Sequence, residues 1–334
     1  MIRIFPTTLN TFAGNNPRGV HPVAAYALDT LVHYCPDQFQ ETTSLVDCDC
    51  VLTNAPAAPP YSFDWIKAES IITLKKPVFI INDADGAMPD CEGQSPDKEH
   101  NFQNFVRGGN GIRGYFYREW FDGYERPDLP FPLLTFELVG YLWTNHPKDQ
   151  KDYYSLDSFE AFNARQWDIL FAQSLNCQSR IALHNAILKR PRASVRDLYK
   201  SGKLPAAQHL CDQATAKMTI ALEGSGIKCC STHEAPLNSV MVMGDVGVHW
   251  TYPWIDGQNC IRLVYDKNKG EGSLVHNFGR GLVALEPSLS KLQGYLDAPE
   301  TLYGILQGGM ETSRKYTLPE YYKNHIGNNI IKYL

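Results

Sequence analysis

The run "KPVFIINDADG", residues 76–86, constrains this chain more than any other stretch. Its VFII core is apolar without alternation and closes in turn-forming Asn, Asp and Gly. A strand apolar on both faces has to be covered on both faces, which is how strands sit in parallel sheets under helices. Helix-patterned segments lie before it, "VHPVAAYALDTLVHY" (20–34) and "YSFDWIKAESIITLK" (61–75), with further strand-like runs in "IRIFP" and "DCDCVLTNAP". Pro6 is expected to close the first strand. Strand and helix alternate, which predicts an α/β domain.

The pattern loosens from about 122 to 160, punctuated by Pro127, Pro130, Pro132 and Pro147, and then resumes. "RQWDILFA" reads as a strand and "RIALHNAILKR" as a helix. "SVRDLYKSG" and "AAQHLCDQATA" read as helical, "KMTIALEG" as a strand, and "HEAPLNSVMVMG" as a helix with an acidic start. "DVGVHW" and "NCIRLVY" read as closing strands, and the tail from Ser288 as helical. The expected domains are 1–160, an α/β half, 161–310, a second α/β half, and 311–334, helices returning to the first. At 334 residues the chain is long enough for two such cores.

A net charge of −5 argues against a general nucleic-acid binder, though one basic face would suffice for contact with modified DNA. No run approaches the roughly 18 apolar residues of a membrane span, and the N-terminus lacks the pattern of a secretory signal, so a cytoplasmic protein is expected. The nine cysteines are odd in number and contain no Cys-x-x-Cys pair, which suits reduced thiols.

The chemistry concentrates in "EGSGIKCCSTHEAPLNS", residues 223–239. His233 is followed four positions on by Leu237, so no zinc-protease motif is present. Cys229 and Cys230 read as small residues in a tight passage. Gly224 and Gly226 after a strand, Lys228, and Ser231 ahead of a helix suit an anionic ligand at backbone N–H groups. A capped βα loop is the plain alternative.

This arrangement resembles the donor domain of GT-B glycosyltransferases, the exostosin-like ones among them, over Lys217–Leu263. The shared features are a strand, a Gly-bearing basic loop, a helix opening with Glu234-Ala235, and a later loop at Asp256–Asn259. The family has an arginine before Glu-Ala where this chain has His233. The resemblance implies two Rossmann-like domains facing across a cleft, a helical C-terminus, and a nucleotide-sugar donor of the UDP or GDP type. It implies donor contacts at Lys228, Ser231, His233, Glu234, Asn238 and Ser239. "DILFAQSLNCQSRIALHNAIL" (168–188) resembles the first strand–loop–helix of that domain and adds Arg180. "AGNNPRGVHP" (13–22) resembles the first loop of the acceptor domain and points to Gly14, Asn15, Arg18 and His21. The catalytic candidates are Asp83, Asp85 and Glu234, with no cofactor required. Asp83-Ala84-Asp85 also matches the Asp-x-Asp of GT-A enzymes, which would place a divalent metal there. A glycan or another hydroxyl acceptor is expected. A non-catalytic nucleotide- or sugar-binding protein is the remaining alternative.

Overall fold

The computed structural model describes residues 1–9, 22–54, 63–82, 102–118, 120, 127–137, 157–175, 177–190, 193–198, 206–222, 231–244, 248–266, 268, 282–316 and 318–334. Two compact units are present. One comprises Met1–Tyr141, Val248–Thr251 and Leu318–Leu334, and the other Leu142–Gly247 and Tyr252–Thr317. The chain thus changes units at Tyr141/Leu142, against an expected 160/161, and rejoins the first at Leu318, against an expected 311.

The first unit runs β1 (Ile2–Thr8), α1 (Pro22–Tyr34), β2 (Phe39–Glu41), β3 (Cys50–Asn54), α2 (Trp65–Thr73), β4 (Val78–Asn82), α3 (Phe102–Arg107), β5 (Ile112–Tyr117) and β6 (Leu133–Thr135). These form a parallel six-stranded sheet in the order β2-β1-β3-β4-β5-β6. Every residue of β3 and β4 is buried, which is why neither shows polar alternation. Pro6 does not end β1 but sits inside it, opposite Leu52 of β3. Ile2 N–H donates to Gln38 and Ile4 C=O accepts from Thr42, so even-numbered β1 residues present their backbone groups to β2. β2 pairs only as far as Ile4, so the N–H that Pro6 lacks falls where no strand needs it.

The second unit runs α4 (Phe159–Asn163), β7 (Trp167–Phe171), α5 (Gln178–Leu188), β8 (Val195–Asp197), α6 (Ala206–Ala214), β9 (Ala216–Ile220), α7 (Ser231–Glu234) with a 3-10 turn (Ala235–Leu237), and β10 (Val240–Met243). It continues with β11 (Ile261–Arg262), the antiparallel pair β12 (Tyr265–Asp266) and β13 (Leu282–Val283), α8 (Leu285–Leu296) and α9 (Pro299–Lys315). Its five-stranded sheet is parallel, in the order β11-β10-β9-β7-β8. Leu302, Ile305, Leu306 and Met310 form a stripe at helical spacing on α9 and pack with Phe171, Leu183, Met218 and Val242. Each buried side chain of this size contributes about 2 kcal/mol. Gly309 lets α9 rest on the chain below, since a Cβ there would meet the Asn259 carbonyl oxygen at 2.9 Å.

Two helix assignments from the sequence do not hold. "SVRDLYKSG" contains β8 rather than a helix, and "HEAPLNSVMVMG" is one helical turn, a 3-10 turn at Pro236, and then β10. "DVGVHW" does not supply a named strand among its described residues, and "NCIRLVY" divides into β11 and β12. The expected class nevertheless stands, with two Rossmann-like parallel α/β sheets and a helical C-terminus. No described helix is long and apolar enough to cross a membrane.

Residues from Leu318 complete the first unit as α10 (Leu318–Tyr321), a π-helical stretch (Tyr322–Gly327) and α11 (Asn328–Tyr333). Beneath them lies a polar knot around Glu137, which is fully buried. One Glu137 carboxylate oxygen accepts the Tyr321 hydroxyl and the Thr251 hydroxyl, each at 2.7 Å, and the other accepts the Thr251 N–H at 3.0 Å. The Glu137 N–H donates to the Tyr321 oxygen at 2.9 Å. Burial first, and the adjacent Glu137 second, push the Tyr321 hydroxyl well above its usual pKa.

At the amino ends of β7–β9 the second unit has a partly exposed counterpart. Asp168 accepts the Ser194 N–H at 2.9 Å, the Ser194 hydroxyl at 3.0 Å and the Lys217 ammonium at 3.1 Å. Burial alone would raise its pKa, but the bonds from Ser194 and Lys217 outweigh it and hold the carboxyl below its usual range. A depressed folded pKa contributes stability that is complete above the unfolded value of about 3.9 and is lost as pH falls through the folded value. Asp168→Asn should therefore cost about 1–2 kcal/mol at pH 7 and progressively less below about pH 4. Urea unfolding of both proteins across that range checks it, and a difference independent of pH would refute it.

Candidate functional site

The two sheets share one strand order. Numbered along the chain within its own unit, each begins 2-1-3-4-5, and the first adds a sixth strand. This order reverses direction between its first and third strands, and ligands of such sheets gather outside the carboxyl ends at that switch point. In the second unit the switch point lies between β7 and β9. The segments that leave those two strands, 172–177 and 221–230, lead into the donor-site candidates, Arg180 after the first and Lys228 to Ser239 in and after the second.

Arg180 is there. It lies in the first turn of α5 and is 5% exposed. Its guanidinium donates to the Ser174 carbonyl at 3.1 Å and to the Leu222 carbonyl at 2.6 Å, joining the exit of β7 to the exit of β9. Gln173 makes a second junction at the same place. Its side-chain N–H donates to the Leu222 oxygen at 2.8 Å, and its side-chain oxygen accepts the Leu222 N–H at 2.9 Å. Sequence reading missed Gln173. The available signal was an amide placed directly after an apolar strand, at a position where a loop residue is ordinarily exposed.

The other candidates separate. Ser231 and Glu234 lie in α7, which is only four residues long, so the helix-terminus electrostatics expected from a long run do not apply. The side chains of both, and all of Lys228, lie outside the described residues. His233 is 8% exposed, and its ring lies 4.8 Å from that of Tyr316, which follows α9. Tyr316 is fixed in turn by accepting the Tyr252 N–H at 2.9 Å and donating to the Tyr252 carbonyl at 2.8 Å. In this setting His233 anchors α7 to the end of α9.

Asn238 and Ser239 are 4% and 1% exposed and precede β10, at the amino end of the sheet. The Asn238 carbonyl accepts from Arg165 at 2.6 Å, together with the carbonyl of Ala216, the first residue of β9. The Ser239 hydroxyl donates to Thr219 at 2.6 Å. Both residues are buried at the end of the sheet away from Leu222. Gly14, Asn15, Arg18, His21, Asp83 and Asp85 lie outside the described residues; β4 ends at Asn82, so Asp83 and Asp85 follow its carboxyl end.

No protein-family model matches the sequence, and no curated protein matches it. Solved structures do. HepE of Anabaena, determined in complex with UDP-glucose, superimposes with a TM-score of 0.54 at 10% sequence identity, covering 99% of this chain and 100% of its own. A glycosyltransferase from Rickettsia africae follows at a TM-score of 0.46 and 7% identity, with 99% of each chain covered. At such identities the likeness is one of fold, and it extends across both units.

Proposed function

We propose that this chain is a glycosyltransferase that moves a sugar from a nucleotide-sugar donor, of the UDP type, to a hydroxyl of a glycan acceptor. The observation that carries the reading is the pair of parallel sheets with one switch-point order, in a fold shared along its whole length with a protein that binds UDP-glucose. The donor belongs at the β7/β9 switch point. There Arg180 supplies a buried guanidinium, oriented by the carbonyls of Ser174 and Leu222. As the glycosidic bond breaks, charge grows on the departing diphosphate, and preorganised donors stabilise it. In this reading Lys228 and Ser231 add donors there, and Glu234 contacts the ribose or sugar. Asp83 or Asp85 accepts the proton of the acceptor hydroxyl, and Gly14, Asn15, Arg18 and His21 shape the acceptor side. A cytoplasmic location and catalysis without a required metal complete the proposal.

Glu234→Gln is expected to leave melting near that of the wild type and lower turnover of UDP-glucose by tenfold or more, about 1.4 kcal/mol of transition-state stabilisation. Lys228→Ala should weaken binding of free UDP, whereas Cys229→Ser and Cys230→Ser should leave activity intact. The reading fails if purified protein neither transfers nor hydrolyses any of a panel of UDP-, GDP- and CMP-sugars. Activity lost to a chelator and restored by Mn²⁺ would move Asp83 and Asp85 from proton acceptor to metal ligand.

A further inference from the structure

We infer that Gln173 is a positioning residue for the nucleotide end of the donor, an inference that rests on the glycosyl-transfer reading and adds a residue to it. The β7–β9 ladder pairs Trp167 with Ala216, Ile169 with Met218 and Leu170 with Thr219. Gln173 and Leu222 stand at the same separation of 49 residues, so Leu222 meets its partner in the register of the sheet. The partner, however, is a side chain. The Gln173 amide takes the place of a peptide unit and extends the pairing past Phe171 and Ile220, the last residues of the two strands.

The bonds at the exit of β9 alternate as in a strand. Ala221 N–H donates to Val242 of β10, and Leu222 turns to Gln173 on the β7 side. Both Leu222 backbone groups are therefore held until the chain enters residues 223–230. Arg180 shares the Leu222 oxygen, which places the guanidinium in register with the same point. Gln173 is 8% exposed, and Leu222 is fully buried. A side chain unable to form these bonds would leave the buried Leu222 N–H to find another partner and the Leu222 carbonyl held by Arg180 alone. The Leu222 carbonyl would then shift, and with it the Arg180 guanidinium that the glycosyl-transfer reading places on the diphosphate. Gln173 touches no ligand in this scheme; it acts through the main chain of Leu222.

Calorimetric titration of the full chain with UDP tests the inference, using wild type, Gln173→Met and Gln173→Asn. Methionine keeps the length without the hydrogen bonds, and asparagine keeps the amide one methylene short of Leu222. The expected result is a Kd for UDP at least fivefold above wild type in each variant that unfolds cooperatively. A purely structural role would lower the melting temperature and leave the affinity of the folded protein where it was. A Kd less than fivefold above wild type in a folded variant overturns the role of Gln173, and if the methionine protein does not fold, the asparagine protein decides by the same threshold. Wild-type protein that binds no UDP overturns the UDP-type donor and the inference with it, and the panel of nucleotide sugars then decides the glycosyl-transfer reading separately.

Discussion

Glu137→Ala should lower the stability of the protein by about 3–5 kcal/mol, enough to remove a large share of the stability of an ordinary domain. The substitution removes one acceptor group and strands two donors, the Tyr321 hydroxyl and the Thr251 N–H, while the Thr251 hydroxyl keeps the Thr135 hydroxyl at 2.7 Å. It also leaves a cavity at a position with no exposure to water. Glu137→Gln keeps the shape and one acceptor oxygen, so its cost should be smaller, about 1–3 kcal/mol. Tyr321→Phe attacks the same bond from the other side, and a double-mutant cycle with Glu137→Gln should show coupling of about 1 kcal/mol or more. Denaturant unfolding reads all of these. A Glu137→Ala protein within 1 kcal/mol of wild type would mean the knot contributes little.

Arg165→Ala carries the second large effect, about 3–4 kcal/mol. Its guanidinium donates to the Ala216 carbonyl at 2.7 Å and the Asn238 carbonyl at 2.6 Å, pairs with Asp157 at 2.8 Å, and lies 4.9 Å from the centre of the Phe162 ring. Asp157 is a third exposed and can turn to water, so the ion pair itself contributes little. The two carbonyls hold the amino ends of β9 and β10, and the cost comes from them. Arg165→Met, which refills the volume, should recover only the packing part, and Arg165→Lys, which can reach one carbonyl, should recover more. A methionine variant as stable as wild type would assign the effect to packing alone.

The parts of the fold that the sequence disclosed are those where one physical signal dominates. β4 is an apolar run closed by turn residues, β9 is short with buried Met218 and Ile220, and α1, α2, α5 and α9 repeat at helical spacing. β8 was misread because three half-exposed residues at a sheet edge are too few to express a period. β10 was misread because VMVM is buried on both faces and follows a proline-bearing turn, so neither alternation nor a clean boundary marks it. Residues 102–118 escaped assignment although they hold α3 and β5, since Gly108, Gly109, Gly111 and Gly114 interrupt the pattern. In the site, Arg180 was legible from its place after a strand–loop signature. Gln173 was not, because its role depends on a register between strands 49 residues apart, which no local window contains. His233, Asn238 and Ser239 are buried polar residues whose expected ligand contacts no local window separates from burial. A polar residue near a glycine-rich loop reads the same whether it faces a ligand or, as Ser239 does, a threonine in the next strand.

The knot at Glu137 also orders events during synthesis. Its partners lie 114 and 184 residues further along the chain, at Thr251 and Tyr321. Domains emerging from a ribosome ordinarily fold in sequence, the N-terminal one first. Here the unit that contains the N-terminus cannot assemble all its pieces until residues 318–334 have been translated, while the unit ending at Thr317 already has every one of its own. The later-encoded half is thus the first able to finish. The earlier half then has the Thr251 partner of Glu137 but lacks Tyr321, which arrives only with residues 318–334.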